Sequence, residues 1–268
     1  MSVKKTSPTP SDCYVFCIAN QKGGVGKTTT AINLATALSQ LKKKVLLIDL
    51  DPQGNATMGS GIDKNNCERS VYQVLIGENT VEEARQRSET GGYDVLCANR
   101  HLSGAEIDLV EMESRELRLK NCLAPVLDDY DFVLIDCPPT LSLLTLNGLA
   151  CAHGVIIPMQ CEYFALEGLS DLVNTIKRVY RNINPELQLI GLLRVMFDRR
   201  VTLQQQVSEQ IKQHFGDRVF ETAIPRNVRL AEAPSHGMPG VVYDKKSRGA
   251  KAYIKFGSEL IERLSAKS

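Results

Sequence analysis

One glycine-rich loop in this chain carries two lysines. In QKGGVGKTTT, residues 21–30, Lys27 stands where phosphate-binding loops of the G-x-x-x-x-G-K-[ST] pattern put their lysine, and Lys22 sits at the front of the same loop. Gly23, Gly24 and Gly26 let the backbone curl with its N–H groups turned inward, toward the start of the next helix, which is a natural anion site. Lys27 would reach the outer phosphates of a nucleotide, and the Thr28 hydroxyl would ligate Mg²⁺. Val25 and Thr29 complete the stretch assigned to nucleotide binding.

A magnesium–nucleotide site also needs carboxylates at the ends of neighbouring strands. FVLIDCPP supplies Asp136 after four apolar residues, the arrangement that holds Mg²⁺, commonly through water. LLIDLDPQGN supplies Asp49 and Asp51. If the strand runs that far, the period of two aims both to one side. Two roles stay open for Asp49: facing the γ-phosphate, or capping nearby backbone N–H groups at the strand end. Asp51 precedes Pro52 and Gly54 in an irregular segment and is expected to orient the attacking water, with Gln53 and Asn55 as hydrogen-bonding helpers.

The elements that must position these groups alternate. YVFCIA (14–19), VLLIDLD (45–51), VLC (95–97), FVLID (132–136), GVIIPM (154–159) and LQLIGLLRVM (187–196) read as buried strands. Helical spacing follows the glycine loop through Ile32, Leu34, Ala35, Leu38 and Leu41, and recurs over roughly 114–128, 141–151, 165–181, 201–215 and 248–265. Strands alternating with helices make right-handed crossovers. The expected fold is therefore α/β: a single doubly wound, mostly parallel sheet with helices on both faces, of the P-loop NTPase type. Residues 1–13 read as a disordered polar arm, since Pro8 and Pro10 forbid a regular helix. Residues 14–268 read as one domain.

Composition agrees with a globular chain of 268 residues, 43% hydrophobic and 24% charged. No apolar run approaches the ~20 residues that cross a bilayer. The start MSVKKTSPTPSD lacks the apolar core and cleavage site of a secretory signal, so a cytoplasmic location is expected. Eight cysteines include no C-x-x-C pair, which points to inert thiols; Cys137 alone stands beside a candidate magnesium acid. Charge is asymmetric: residues 194–268 hold 14 Lys+Arg against 8 Asp+Glu, whereas residues 1–193 hold 18 against 23. A basic C-terminal part suits a polyanion, although most charge runs are solvated surface.

KGGVGKTTT, VLLIDLDPQGNAT, DFVLIDCPPTLSLLTLNGL, VIIPMQCEYFALEGL and IPRNVRLAEAPSHG together resemble the ParA/Soj partitioning ATPases over about residues 14–265. In that family the loop is a deviant Walker A, and the early lysine is its mark. The resemblance implies an ATP- and Mg²⁺-dependent ATPase, slow until stimulated, in which Lys22 crosses a homodimer interface to the phosphates of the other subunit. It implies that Gly23 lies at that interface, and that the IPRN loop walls the adenine through Pro225 and Asn227. The implied output is non-specific binding of double-stranded DNA by the ATP dimer, released when a ParB/Spo0J-type protein stimulates hydrolysis, which would make the protein nucleoid-associated. Arg200 and Arg229 match family positions that contact DNA, and Lys245, Lys246, Arg248 and Lys251 extend the basic run. Lys22 also fits such a role physically, because a lysine at the outer lip is poorly aimed at its own nucleotide.

Three other outputs share this loop. A MinD-type membrane ATPase needs an amphipathic anchor, and GSELIERLSAKS is short of bulky apolar residues. A small-molecule ligase needs a substrate pocket that no motif suggests. An iron–sulfur reductase needs two placed cluster cysteines, and Cys137 is poorly placed. Arg194 interrupts an otherwise apolar strand, where it would face a water-lined edge or extend the basic patch.

Overall fold

The computed structural model describes residues 13–266. In chain order the first half runs β1 (Tyr14–Ile18), α1 (Lys27–Gln40), β2 (Val45–Asp49), α2 (Asn55–Gly59), α3 (Val71–Ile76), α4 (Val81–Ala84), β3 (Arg85–Ser88) and β4 (Tyr93–Leu96). The next part holds α5 (Leu102–Asp108), α6 (Arg118–Leu123), β5 (Phe132–Asp136), α7 (Leu143–Cys151), β6 (Gly154–Met159) and α8 (Ala165–Asn182). The last part holds β7 (Gln188–Arg194), α9 (Thr202–Phe215), β8 (Val219–Ala223), α10 (Val228–Glu232), α11 (Gly240–Tyr243) and α12 (Arg248–Ser265).

The eight strands form one sheet in the order β3-β4-β2-β5-β1-β6-β7-β8. All neighbours are parallel except β3 and β4. Side chains alternate between two cores, one on each face of the sheet. Val15, Cys17, Leu46, Ile48, Val133 and Ile135 enter one core, which α3, α5, α6, α7, α8 and α9 cover. Phe16, Ile18, Val45, Leu47, Phe132 and Leu134 enter the other, which α1 and α12 cover. The helix α12 approaches α1 closely: a Cβ on Gly257 would stand 3.3 Å from that of Ala37.

Register decides what meets at the C-terminal ends of the strands. Ile18 of β1 pairs with Asp136 of β5, and Asp136 in turn pairs with Asp49 of β2. The glycine loop thus leaves the central strand beside two carboxylates, at the edge where open α/β sheets bind ligands.

Several expected boundaries shift. The helix expected over 114–128 is broken into short 3₁₀ turns around α6: Pro125 falls in the turn after it, and Ser114, with a φ of 52°, interrupts the chain before it. β2 stops at Asp49, so the period-two alignment of Asp49 with Asp51 does not arise. The arm expected over 1–13 lies outside the described residues except for Cys13, which is buried in the core.

Candidate functional site

The phosphate loop is braced from the neighbouring strand. Asn20 donates its side-chain amide to the Pro158 carbonyl at 2.8 Å, and the Gln160 amide donates to the Gly24 carbonyl at 3.1 Å. Gly24 and Gly26 take φ of 72° and 76°, the left-handed region in which a side chain is strained, so glycine is required there. The Thr30 N–H reaches the Gly26 carbonyl at 2.9 Å and starts α1. Val25 is buried, while Thr28 and Thr29 are half-buried on the first turn.

Lys27 is buried, and its ammonium donates to the Lys22 backbone carbonyl at 3.3 Å. Burial lowers its pKa, while Asp136 and Asp51 pull it back up. A buried cation whose hydrogen bond goes to a neutral carbonyl is poised for an anion. Lys22 turns the other way. Its side chain is 59% exposed and forms an ion pair with Glu162, in the loop after β6. The two lysines of the loop therefore point inward and outward.

The three carboxylates separate by their partners. Asp49 is buried and fully bonded: its Oδ2 accepts the Thr57 N–H and hydroxyl, each at 2.8 Å, and its Oδ1 accepts the Asp51 N–H at 3.1 Å. Of the two roles open for Asp49, the strand-end cap is the one formed. Burial raises its pKa to about 6, against the lowering effect of these bonds. Asp136 is buried too, yet neither of its oxygens has a hydrogen-bond partner. Burial chiefly, and Asp49 next, raise its pKa well above the carboxylate range; the Thr28 hydroxyl acts against them. Asp51 is half-buried, with Oδ1 accepting the Gln53 N–H at 2.9 Å, and it stays within electrostatic range of Lys27 and Asp136. The Gln53 side chain is exposed, and the Gln53 carbonyl accepts Lys64 at 2.6 Å.

An unpartnered buried carboxylate beside a threonine hydroxyl fits a hard divalent cation with oxygen ligands. No cluster of three or more His, Cys, Asp or Glu able to hold a metal occurs among the described residues. Asp136 and Thr28 would therefore share the cation with phosphate oxygens.

Beyond the loop, Phe197 donates its N–H to the Ile224 carbonyl, and Ile224 donates to that of Arg194. Val195 and Met196 lie 3.8 and 4.0 Å from where a Gly26 side chain would begin. The turn holding Pro225 and Asn227 is thus tied to the segment that flanks the phosphate loop. The Asn227 carboxamide oxygen caps α10 by accepting the Arg229 N–H at 2.9 Å. A cleft of about 390 Å³ adjoins the site between Thr28, Thr29, Asn55, Met58, Ser235 and Met238. Pro225 and Asn227 do not line it.

The six basic residues divide. Arg200 is clamped by Asp198 through bonds of 3.0 and 2.7 Å, and Arg229 is paired with Glu232 at 2.9 Å and Asp244 at 3.7 Å. Lys245, Lys246, Arg248 and Lys251 are exposed. Asp198 feels Arg248 as well as Arg200, so the 198–200 turn and the start of α12 share one face. Arg194 does neither thing expected of it. It is buried, donating to the Ser208 hydroxyl at 2.9 Å and to the Phe220 and Glu221 carbonyls at 2.8 and 3.0 Å. Desolvation lowers its pKa. It struts β7 to α9 and β8.

The cysteines are free and mostly buried, and the Cys137 thiol lies with that of Cys17 against Gly148. Sequence reasoning missed Gln160, Glu162 and Thr57. The first two follow the C-terminal end of β6, the same kind of position that exposed Asp49 and Asp136.

Residues 13–189 match the family model described as AAA domain. The chain is 48% identical over 254 residues to a chromosome partitioning protein ParA of Myxococcus xanthus, covering 95% of this chain and 90% of that protein. It is 50% identical over 246 residues to the sporulation initiation inhibitor protein Soj of Bacillus subtilis, covering 92% and 97%. Among solved structures, a cobyrinic acid a,c-diamide synthase from Mycobacterium smegmatis with bound ADP and magnesium superposes with a TM-score of 0.84 at 38% identity, covering 96% of this chain and 97% of that one. A plasmid partition protein from Borrelia burgdorferi bound to AMPPNP gives 0.78 at 28% identity, covering 96% and 100%.

Proposed function

Because the chain belongs to the ParA/Soj family of partitioning ATPases, we propose that it is an ATP-driven dimer clamp on DNA. The nucleotide is ATP with Mg²⁺, in keeping with the ligands of the structural relatives. The backbone of Gly23–Gly26 and the first turn through Thr29 cradle the phosphates, and Lys27 neutralises them from inside. Asp136 and Thr28 hold the cation, which supplies charge neutralisation on the phosphates. Asp51 orients the attacking water with help from Gln53, and Pro225 and Asn227 bound the adenine.

One observation carries the dimer: Lys22 faces outward on an open lip, away from the buried lysine of its own loop. Its stem suits reaching a nucleotide held by a facing subunit, so that each copy completes the other's site. Hydrolysis removes the group both subunits grip, and the dimer opens. The ATP dimer holds non-specific DNA through Arg200, Arg229, Lys245, Lys246, Arg248 and Lys251, doubled by the second copy. A ParB/Spo0J-type partner stimulates an otherwise slow hydrolysis, and the protein works in the cytoplasm on the nucleoid.

Among the described residues no helix is long and apolar enough to cross a membrane. The apolar side of α12 is spent on the core through Tyr253, Phe256 and Leu260, which disfavours a membrane anchor there. The deciding experiment measures binding to random-sequence duplex DNA with ATP, with ADP and without nucleotide, beside size-exclusion chromatography. Binding only with ATP, lost as salt rises and lost with Lys22→Ala together with the dimer, supports the clamp. A Lys22→Ala protein that still dimerises on ATP refutes it. If wild type dimerises but never binds DNA, liposome sedimentation and small-molecule turnover assays become the next tests.

A further inference from the structure

We propose that Cys67 and Cys97 form a peroxide-sensitive dithiol, in which Cys67 is oxidised first and Cys97 closes it into a reversible disulfide.

Two segments far apart in the chain bring these thiols together. Cys67 lies between α2 and α3, and Cys97 directly follows β4. The Asn99 side-chain amide donates to the Cys67 carbonyl at 3.0 Å, and the Val71 N–H donates to the Cys97 carbonyl at 2.8 Å. Each cysteine's backbone is thus held from the other's segment. The Gln86 amide of β3 donates to the Cys67 Sγ at 3.5 Å, and Gln86 stands opposite Val95 of β4. Cys97 is the next residue after Val95 on the same face, in one core with Cys67. There the two thiols are hydrogen-bonded to each other.

Their surroundings give them different parts. Cys97 is fully buried, whereas Cys67 is 4% exposed. An open hollow of about 280 Å³ adjoins Cys67, lined by its chain neighbours Asn66 and Glu68 and by Gln86. A peroxide is small enough to enter it, and it meets Cys67 first. When protonated, the Cys67 thiol donates to the Arg69 carbonyl at 3.1 Å. When ionised, it keeps two donors, the Cys97 thiol and the Gln86 amide, and these hold it below the ordinary thiol value despite burial. Cys97 is pushed up by Cys67, by burial and by the charge of Asp49. Burial raises Cys13, Cys122, Cys151 and Cys161 as well. A thiolate on the outside with its donor thiol behind it is the arrangement of an attacking and a resolving sulfur.

The chemistry balances with hydrogen peroxide as the oxidant. The Cys67 thiolate attacks one peroxide oxygen, the O–O bond breaks, and the departing hydroxide takes up a proton as water. Cys67 is left as a sulfenic acid. The Cys97 sulfur then attacks the Cys67 sulfur, the S–O bond breaks, and the hydroxyl leaves as water with the Cys97 proton. In sum, two thiols give up two hydrogens and two electrons, and one peroxide becomes two waters. A thiol reductant reverses the bond by exchange, which suits a compartment where disulfides are transient.

The test is peptide mapping by mass spectrometry of the native full chain after equimolar hydrogen peroxide, with free thiols blocked before digestion. One cross-link joining Cys67 to Cys97, removed by a thiol reductant, is expected. Cys67 should be consumed at least about ten-fold faster than Cys13 or Cys161. Cross-links spread over other cysteines, or a Cys67 that stays a free thiol, overturn the pair. Cys67 carried on to sulfinic acid while Cys97 stays free overturns Cys97 as the resolving partner. In Cys97→Ala, shown to be folded by circular dichroism, Cys67 should stop at the sulfenic acid and be trapped by dimedone. A folded variant with no trapped sulfenic acid overturns Cys67 as the first site; the wild-type map decides whether or not this variant folds.

Discussion

The Asp49 carboxylate grips Thr57 twice, and the Thr57 hydroxyl it holds accepts the Ala98 N–H in turn at 2.9 Å. One buried network thus pins the segment carrying Asp51 to the ends of β2 and β4. Thr57→Val keeps the shape and removes the hydroxyl, leaving the Ala98 N–H without its acceptor and Asp49 with one bond fewer. We expect a loss of about 1–3 kcal/mol in urea unfolding. ATP turnover should fall further than ATP affinity does, because Asp51 loses its fixed frame. A variant with wild-type stability and turnover would refute the role given to this network.

The buried carboxylates of the proposed magnesium site should make the metal-free protein sensitive to base. Burial raises the Asp49 pKa to about 6 and that of Asp136 further in the same direction. The native state then binds more protons than the unfolded chain, so the contribution of these groups is present at low pH and is lost as pH rises from about 4 through 6 and beyond. Asp136→Asn removes the larger burden. Its thermal midpoint without metal should exceed that of wild type by about 5 °C at pH 8, with the gap closing at acid pH. Mg²⁺ with nucleotide should stabilise wild type far more than the variant. Equal midpoints at pH 8 would remove the argument that Asp136 waits for a cation.

Gly23 provides a test that separates subunit from dimer. Nothing in the single chain lies within 4 Å of a side chain placed there. Gly23→Val should fold normally, bind ATP as a monomer, and fail to dimerise by analytical ultracentrifugation. A Gly23→Val protein that dimerises like wild type would move the interface off this lip.

Arg194 belongs to stability and not to DNA. Truncating it to alanine empties a buried site and strands the Ser208 hydroxyl and two carbonyls. The expected cost is about 2–4 kcal/mol in chemical denaturation, with DNA affinity per folded dimer unchanged. Arg194→Met, which refills the space, should cost less. A folded Arg194→Ala protein with normal stability but weak DNA binding would return this residue to the basic face.

Two of the six basic residues start out occupied. Freeing Arg200 by Asp198→Asn should tighten DNA binding about two- to three-fold at low salt. Lys245→Ala/Lys246→Ala should flatten the slope of log affinity against log salt by roughly 2, since each phosphate contact contributes about 0.9. Filter binding across a salt series reads both. A slope unmoved by the double substitution would mean that these lysines are only solvated.

What the sequence made legible was chiefly chemistry placed after an apolar run. Lys27, Thr28 and Asp136 come after apolar strands, and the fold puts the first two within reach of the Asp136 carboxylate. β3 escaped notice because RQRS has neither apolar content nor alternation; it is an edge strand that pairs only with β4, and its side chains reach Asp129, Asp94 and the Ser60 carbonyl. β8 is the other edge strand, and its solvent-facing Glu221 interrupts the apolar run. Asp49 could not be assigned in advance, since its partner Thr57 is eight residues away and no local spacing announces the bond. Arg194 and Glu162 likewise take their meaning from partners far along the chain. A charge on a strand or a loop says nothing of what it will face.

The close approach of α12 to α1 has a mechanical meaning. The helix that begins at Lys27 is bonded to α12 through Thr30 and Tyr253, whose hydroxyls meet at 3.1 Å, and α12 in turn carries Arg248 and Lys251. The helix that starts at the phosphate loop and the one that carries these basic residues are thus packed together as one block. In any two-fold assembly of such blocks, the spacing between the two basic faces is fixed by how the subunits meet over their nucleotides. ATP would then act as a gauge block between the jaws of a caliper, setting whether both faces can close on the same duplex.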